Sequence, residues 1–252
     1  MRTFFKPFLH YAGIAALAAL PSFANTTVGL ELSLLVDVSG SVTTAEFNLQ
    51  RGGYVTAFQS AAVQAAIAAT PGGIAVNLIY WSGSGQQNQA IGYTQLTNAA
   101  DANAFATAIN GTLRPFSGQT APGSAINFAV PLFSSNTFDS AKQVIDVSGD
   151  GAQNNGANTL AARNAALAAG IDQLNGVVIL GEAGLFNFYD NNIKGGAGAF
   201  VETAATFADF SDAIQRKLFR EISGVPEPAS VVLLATMLGL TGFAARKRFA
   251  RG

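Results

Sequence analysis

The 252-residue chain has no cysteine and a single histidine, His10. This excludes a disulfide framework and, because His10 falls in a terminal leader, leaves the rest of the chain without the imidazole or thiol that most nucleophilic and acid–base catalysts use. Between residues 25 and 224 acidic side chains outnumber basic ones 14 to 8, a balance that argues against nucleic acid, which is recognised by clustered Lys and Arg. A span of that length suits one domain with a core able to hold it without cross-links.

Both ends read as sorting signals. Residues 1–24 carry Arg2 and Lys6, an apolar stretch from Tyr11 to Leu20, and Pro21-Ser22-Phe23-Ala24. That order is a secretory signal peptide with cleavage after Ala24, and its apolar stretch is about half the ~20 residues a membrane span needs. In residues 225–252, Pro226-Glu227-Pro228 is followed by an apolar run from Val231 to Ala245 and then Arg246-Lys247-Arg248. The prolines end any preceding helix, the run is apolar enough for a short transmembrane tail, and the basic cluster would stay on the cytoplasmic side. The arrangement resembles the PEP-CTERM sorting signal of Gram-negative bacteria. That resemblance implies transient membrane insertion, processing by a membrane protease (exosortase), and delivery to the cell surface or medium; an uncut tail would instead leave the protein membrane-anchored.

Residues 25–224 alternate strand and helix signals. Leu30 to Val36 is an apolar run read as a buried strand. Apolar positions at spacings of three and four predict a helical stretch from about Thr43 to Thr70, with Gly52-Gly53 placed for close packing against a neighbour. After the Pro71-Gly72-Gly73 turn, Ile74 to Trp81 reads as a strand buried on both faces, and Ala90 to Leu96 as a short edge strand. A helix over Asn98 to Asn110, a loop through Gly123, a helix over Ser124 to Phe133 and a strand over Lys142 to Val147 follow. An Ala-rich helix spans Thr159 to Ala169 and a strand Leu174 to Leu180. Beyond an irregular stretch with one helical turn near Phe186 to Ile193, Phe200 to Thr203 reads as a last strand. Phe207, Phe210, Ile214, Leu218 and Ile222 mark a closing amphipathic helix. The alternation predicts an α/β fold with a doubly wound, mostly parallel central sheet flanked by helices on both faces.

Chemistry concentrates at three loops. Asp37-Val38-Ser39-Gly40-Ser41 follows the first strand and feeds a helix, Thr120 stands just before a helix, and Asp150 ends a strand in Ser148-Gly149-Asp150-Gly151. In open α/β sheets the carboxyl edge of the strands is where ligands bind. Asp37, Ser39, Ser41, Thr120 and Asp150 offer only hard oxygen donors, the set that Mg²⁺ foremost, and also Mn²⁺ or Ca²⁺, prefers. Taken singly, each is equally at home as a turn or helix-cap residue. In order and type the three loops resemble the metal-ion-dependent adhesion site (MIDAS) of von Willebrand factor A domains, the fold of integrin inserted domains. Ala75 to Gly83, Val144 to Gly151, Gly195 to Phe200 and the closing helix extend the likeness to bacterial secreted von Willebrand A-like proteins, over nearly all of residues 29 to 223.

The resemblance implies a Rossmann-like von Willebrand A fold and a divalent-cation site that accepts a carboxylate from a protein or extracellular polymer, at the cell surface or in a biofilm matrix. The alternatives are a structural matrix protein whose site only stabilises the fold, and a metal-assisted hydrolase. Against the hydrolase stand the missing His and Cys and the absence of a Gly-x-Ser-x-Gly elbow. Asp146, inside an apolar strand, reads as a hydrogen-bonded structural carboxylate and Trp81 as packing. Asn154, Asn155 and Asn158 follow Asp150, where they could line the rim of the site, though an Asn-rich loop is usually just solvated, and Tyr189 to Asn192 reads as a poor match to a calcium loop.

Overall fold

In the computed structural model, which describes residues 24–224, a short strand β1 (Thr26–Val28) precedes β2 (Leu30–Asp37). Every residue of β2 is buried, as a strand covered on both faces must be. Helix α1 (Thr44–Gln59) opens on a capping box. The Glu46 amide donates to Thr43 Oγ1 at 3.3 Å and the Thr43 amide to Glu46 Oε2 at 2.7 Å, so two otherwise orphaned donors are satisfied. The long helix expected from Thr43 to Thr70 is in fact two, because Ser60 ends α1 and caps α2 (Ala61–Ala69). Its extended backbone breaks the ladder, while its hydroxyl donates to the Ala57 carbonyl at 2.8 Å and accepts from the Val63 amide at 3.3 Å. Apolar spacing continues across the break and so conceals it.

Strand β3 (Ile74–Trp81) has the expected bounds, and β4 (Gln87–Leu96) is the edge strand, three residues longer than its apolar pattern. Helices α3 (Ala99–Asn110) and α4 (Pro122–Ser135) follow. Asn98 caps the first, and Pro122 occupies the first turn of the second, where its missing N–H costs nothing. Strand β5 (Phe138–Ser140) pairs in parallel with β1 as a separate two-stranded sheet. The remaining elements are β6 (Gln143–Gly149), α5 (Thr159–Ala168), β7 (Gln173–Ile179), α6 (Leu185–Phe188) running into a π-turn over Tyr189–Ile193, β8 (Val201–Ala204) and α7 (Phe210–Ser223).

The main sheet has the order β4-β3-β2-β6-β7-β8 and is parallel except for β4. The even-numbered residues of β2, Leu30 to Val36, pack with α1, α2, α3 and α7. Leu35, Ile79, Ile145, Val147 and Val178 pack with α4, α5 and α6 on the other face. The chain therefore winds outward from β2 in one direction, returns, and winds outward from β6 in the other. The carboxyl ends of β2 and β6, side by side at the centre, send their loops to opposite faces and leave a crevice between them.

The two glycines of α1 do different things. A Cβ on Gly53 would stand 2.8 Å from Phe210 Cδ1 and 3.2 Å from Ser211 Cα, whereas one on Gly52 would meet nothing within 4 Å. Close packing thus explains Gly53 alone. In urea unfolding, Gly53→Ala is expected to cost about 1–3 kcal/mol by overpacking, and Gly52→Ala to gain up to about 1 kcal/mol from helix propensity.

Among the described residues no helix is long and apolar enough to cross a membrane. The expected signal peptide, but for Ala24, and the expected transmembrane tail at Val231 to Ala245 lie outside the described residues.

Candidate metal centre

Asp37 is the last residue of β2 and lies in register with Trp81 of β3; both are fully buried. Immediately beyond it the chain turns. The Ser39 amide donates to Asp37 Oδ1 at 2.7 Å, closing an Asx-type turn that aims the next side chains into the crevice. From there a polar chain runs across the switch point. Ser39 Oγ and Ser41 Oγ are 3.2 Å apart, and Ser41 Oγ donates to Asp150 Oδ1 at 2.9 Å. Thr120 faces the same place from the α4 side, where Ser41, Thr120 and Asp150 line one cleft of about 330 Å³ together with Asn154, Gly181 and Glu182. The structure thus brings all five expected residues to one locus, four of them in a continuous chain of contacts and the fifth across the cleft.

Residues with no metal-like signature hold the three loops together. The Arg114 guanidinium donates to the Val38 carbonyl at 3.0 Å and to the Ser39 carbonyl at 2.6 Å, and the Gly40 amide donates to the Gly118 carbonyl at 2.7 Å. These bonds tie the Asp37 loop to the Thr120 loop. The Thr120 amide donates to Asn154 Oδ1 at 2.9 Å, while its carbonyl accepts the Asn154 and Asn155 amides at 3.0 and 3.2 Å, tying the Thr120 loop to the segment after Asp150. The Asn-rich stretch is therefore a clamp and not simply a solvated loop, and Asn158 caps α5. From below, Gln50 Nε2 donates to the Asp37 carbonyl at 3.2 Å. No spacing rule in the sequence marks Arg114, Gln50 or Asn154, because each acts on backbone atoms of a distant segment.

The electrostatics fit a cation. Burial, then the neighbouring Asp150 charge, push the Asp37 carboxyl up from 3.8 to about 8, against the opposing Ser39 hydrogen bonds and Arg114 charge. Asp150 is also raised, by burial first, with the Ser41 bond opposing and Glu46 and Glu182 adding repulsion. The Asp150 charge penalises ionisation of Asp37, and Asp37 Oδ2 is buried without a hydrogen-bond partner, so a cation bound beside them would favour the ionised carboxylates. Among the described residues no group of three or more His, Cys, Asp or Glu is placed to hold a metal. Ion binding here would rest on two carboxylates and three neutral hydroxyls, a donor set suited to a hard divalent cation.

The family described as "Protein of unknown function (DUF1194)" matches residues 27–226. The chain belongs to the DUF1194 family. No curated protein matches it in sequence.

Among solved structures, this DUF1194 protein is similar to proximal thread matrix protein 1 of the mussel byssus (TM-score 0.60, 14% identity, 79% of this chain and 48% of that one). A second structure of the mussel protein, described as having a zinc-occupied MIDAS motif, matches with a TM-score of 0.55 at 15% identity, over 79% of this chain and 49% of that one. It is also similar to the pilus adhesin SpaC of Lactobacillus rhamnosus GG (TM-score 0.55, 17% identity, 77% and 30%) and to a von Willebrand factor type A protein of Catenulispora acidiphila (TM-score 0.51, 14% identity, 77% and 42%). The DUF1194 chain spans less than half the length of each of these proteins. At these identities the likeness is one of fold: the domain has the von Willebrand A fold, as its sequence implied.

Proposed function

We propose that this DUF1194 protein is an exported, divalent-cation-dependent binding protein whose site receives an acidic group from a protein or an extracellular polymer. One observation carries the reading: Asp37, Ser39, Ser41 and Asp150 form a contiguous chain of oxygen donors at the switch point of the sheet, with Thr120 across the cleft. Ser39, Ser41 and Thr120 would hold the cation through neutral hydroxyls, which leave its charge largely unquenched, while Asp37 and Asp150 hold and orient them. A cation so held supplies an electrophilic point to which a partner's carboxylate is drawn. Mg²⁺ is the expected ion. The zinc-occupied MIDAS of the mussel matrix protein, on the same fold, supports a divalent ion of some kind.

The absence of His and Cys in residues 25–224 supports binding over turnover. The flanking segments place the encounter outside the cell: residues 1–24 direct export, and the Pro226-Glu227-Pro228 tail directs sorting through a membrane protease. The adhesin and matrix protein among the structural neighbours are in keeping with that location.

The test is retention of the purified protein on a carboxylate-bearing polymer such as immobilised poly-glutamate, beside an amidated control. Retention on the carboxylated surface alone, requiring Mg²⁺ and removed by chelator or by Asp150→Ala, is the expected result. Retention indifferent to chelator on both surfaces would defeat the reading.

A further inference from the structure

A fully buried tyrosine reaches the candidate metal centre from below. Tyr189 sits in the π-turn that continues α6, on the α4/α5 face of the sheet, and none of it is exposed. Its ring lies across two glycines of adjacent strands. A Cβ on Gly176 of β7 would stand 2.8 Å from Tyr189 Cδ1, and a Cβ on Gly149 of β6 would stand 2.7 Å from the Tyr189 hydroxyl. That same Cβ on Gly149 would stand 2.7 Å from Asp37 Oδ2. The strand register explains the convergence: Val36 pairs with Ser148, so Asp37 and Gly149, one residue on, are neighbours, and both follow the side-chain alternation toward α6. Two missing Cβ atoms therefore open a slot that leads the phenol to the carboxylate.

Both polar atoms at the end of this slot are buried without a hydrogen-bond partner: the Tyr189 hydroxyl and Asp37 Oδ2. A buried unpaired hydroxyl is costly, and a buried unpaired carboxylate oxygen more so. Phenylalanine would fill the slot equally well, so packing gives no reason for the hydroxyl. A tyrosine phenol is protonated at neutral pH and so has a proton to donate. π-turns recur at functional sites, where they re-aim a side chain.

We infer that Tyr189 is a positioning residue of the metal centre, its hydroxyl serving as the hydrogen-bond donor of Asp37 Oδ2. This rests on the cation reading above, and it gives Asp37 a second anchor. Oδ1 accepts the Ser39 amide, and Oδ2, which makes no hydrogen bond in this structure, would be held by the phenol once the two atoms close on each other, restricting rotation of the carboxylate. Partners of this kind to metal-holding side chains typically contribute about 10–100-fold in metal affinity.

The experiment combines a double-mutant cycle in chelator with a Mg²⁺ titration, using wild type, Tyr189→Phe, Asp37→Ala and the double variant. Without metal, Tyr189→Phe should lower the folding equilibrium constant when Asp37 is present and have little or the opposite effect in the Asp37→Ala background, a coupling of at least about fivefold. With metal, Tyr189→Phe should bind Mg²⁺ roughly tenfold or more weakly than wild type while its circular dichroism is unchanged. Additive effects in the cycle, or wild-type Mg²⁺ affinity in Tyr189→Phe, would overturn the inference. Coupling in a wild type that shows no response to Mg²⁺ would support the pairing and overturn the cation reading instead. Should Asp37→Ala not fold, Asp37→Ser replaces it in the cycle.

Discussion

Lys217→Met is expected to destabilise the domain by about 3–5 kcal/mol, the range for removing one partner of a buried ion pair, and to lower its melting temperature by roughly 10 °C. Lys217 on α7 has no exposed side-chain surface, and its ammonium lies 2.6 Å from Asp146 Oδ1 in the middle of β6. It also bonds Glu221 one helical turn on, which accepts from Asn175 Nδ2 at 2.8 Å. Asn175 Oδ1 in turn accepts the Phe200 amide at 3.0 Å. This buried network joins β6, β7 and the segment entering β8 to α7. Methionine would keep the packing and leave two carboxylates buried without a cation.

The pH dependence of that loss follows from Asp146. Burial first, with Glu221 adding to it and Lys217 opposing, pushes its carboxyl up from 3.8 to about 7. A carboxyl raised on folding contributes stability that is full below its unfolded value and disappears as pH climbs through the folded one. In Lys217→Met the opposing cation is gone. The deficit against wild type should therefore be smallest near pH 5, where Asp146 holds its proton, and largest near pH 8. Adding Asp146→Asn and Glu221→Gln should restore most of the loss, since neutral groups need no counter-charge. Equilibrium unfolding in urea at the two pH values measures all three outcomes.

The same network marks the boundary of what the sequence makes legible. Asp146 stands out as a charge inside an apolar strand, and the structural role expected of it holds, but nothing along the chain points to its partner. The closing helix is recognisable from Phe210, Ile214, Leu218 and Ile222, while Lys217 and Glu221, three residues beyond Ile214 and Leu218, lie on the same buried face. A hydropathy pattern counts such residues as solvent-facing. Strand β3 is legible to the residue because a parallel strand covered on both faces must be continuously apolar. Strands β1 and β5, three residues each, are too short to show a period. At the metal centre, Asp37, Ser39, Ser41, Thr120 and Asp150 are legible because side-chain chemistry at strand ends and helix starts leaves a mark in residue type. Arg114, Gln50 and Asn154 are not, since their targets are backbone atoms far along the chain. Tyr189 is hidden for a related reason: its significance depends on Gly149 and Gly176, whose proximity only the strand register reveals.

The second large effect concerns the metal centre as a whole. Asp37 lies beneath all of it, taking the Ser39 amide on Oδ1, with Gln50 on its carbonyl and Oδ2 buried beside the Tyr189 slot. A ligand bound only by the folded state stabilises it by about 2.7 kcal/mol at a hundred times its dissociation constant. For a domain of this size that corresponds to a rise of roughly 5–10 °C in melting temperature. The measurement is thermal unfolding of the protein at pH 7.5 in millimolar Mg²⁺, Mn²⁺ or Ca²⁺ and in chelator, for wild type and Asp37→Ala. Melting of wild type should rise with at least one of the three ions and return with chelator, while Asp37→Ala should melt at one temperature throughout. Superimposable curves for wild type in every ion and in chelator would contradict the existence of the site.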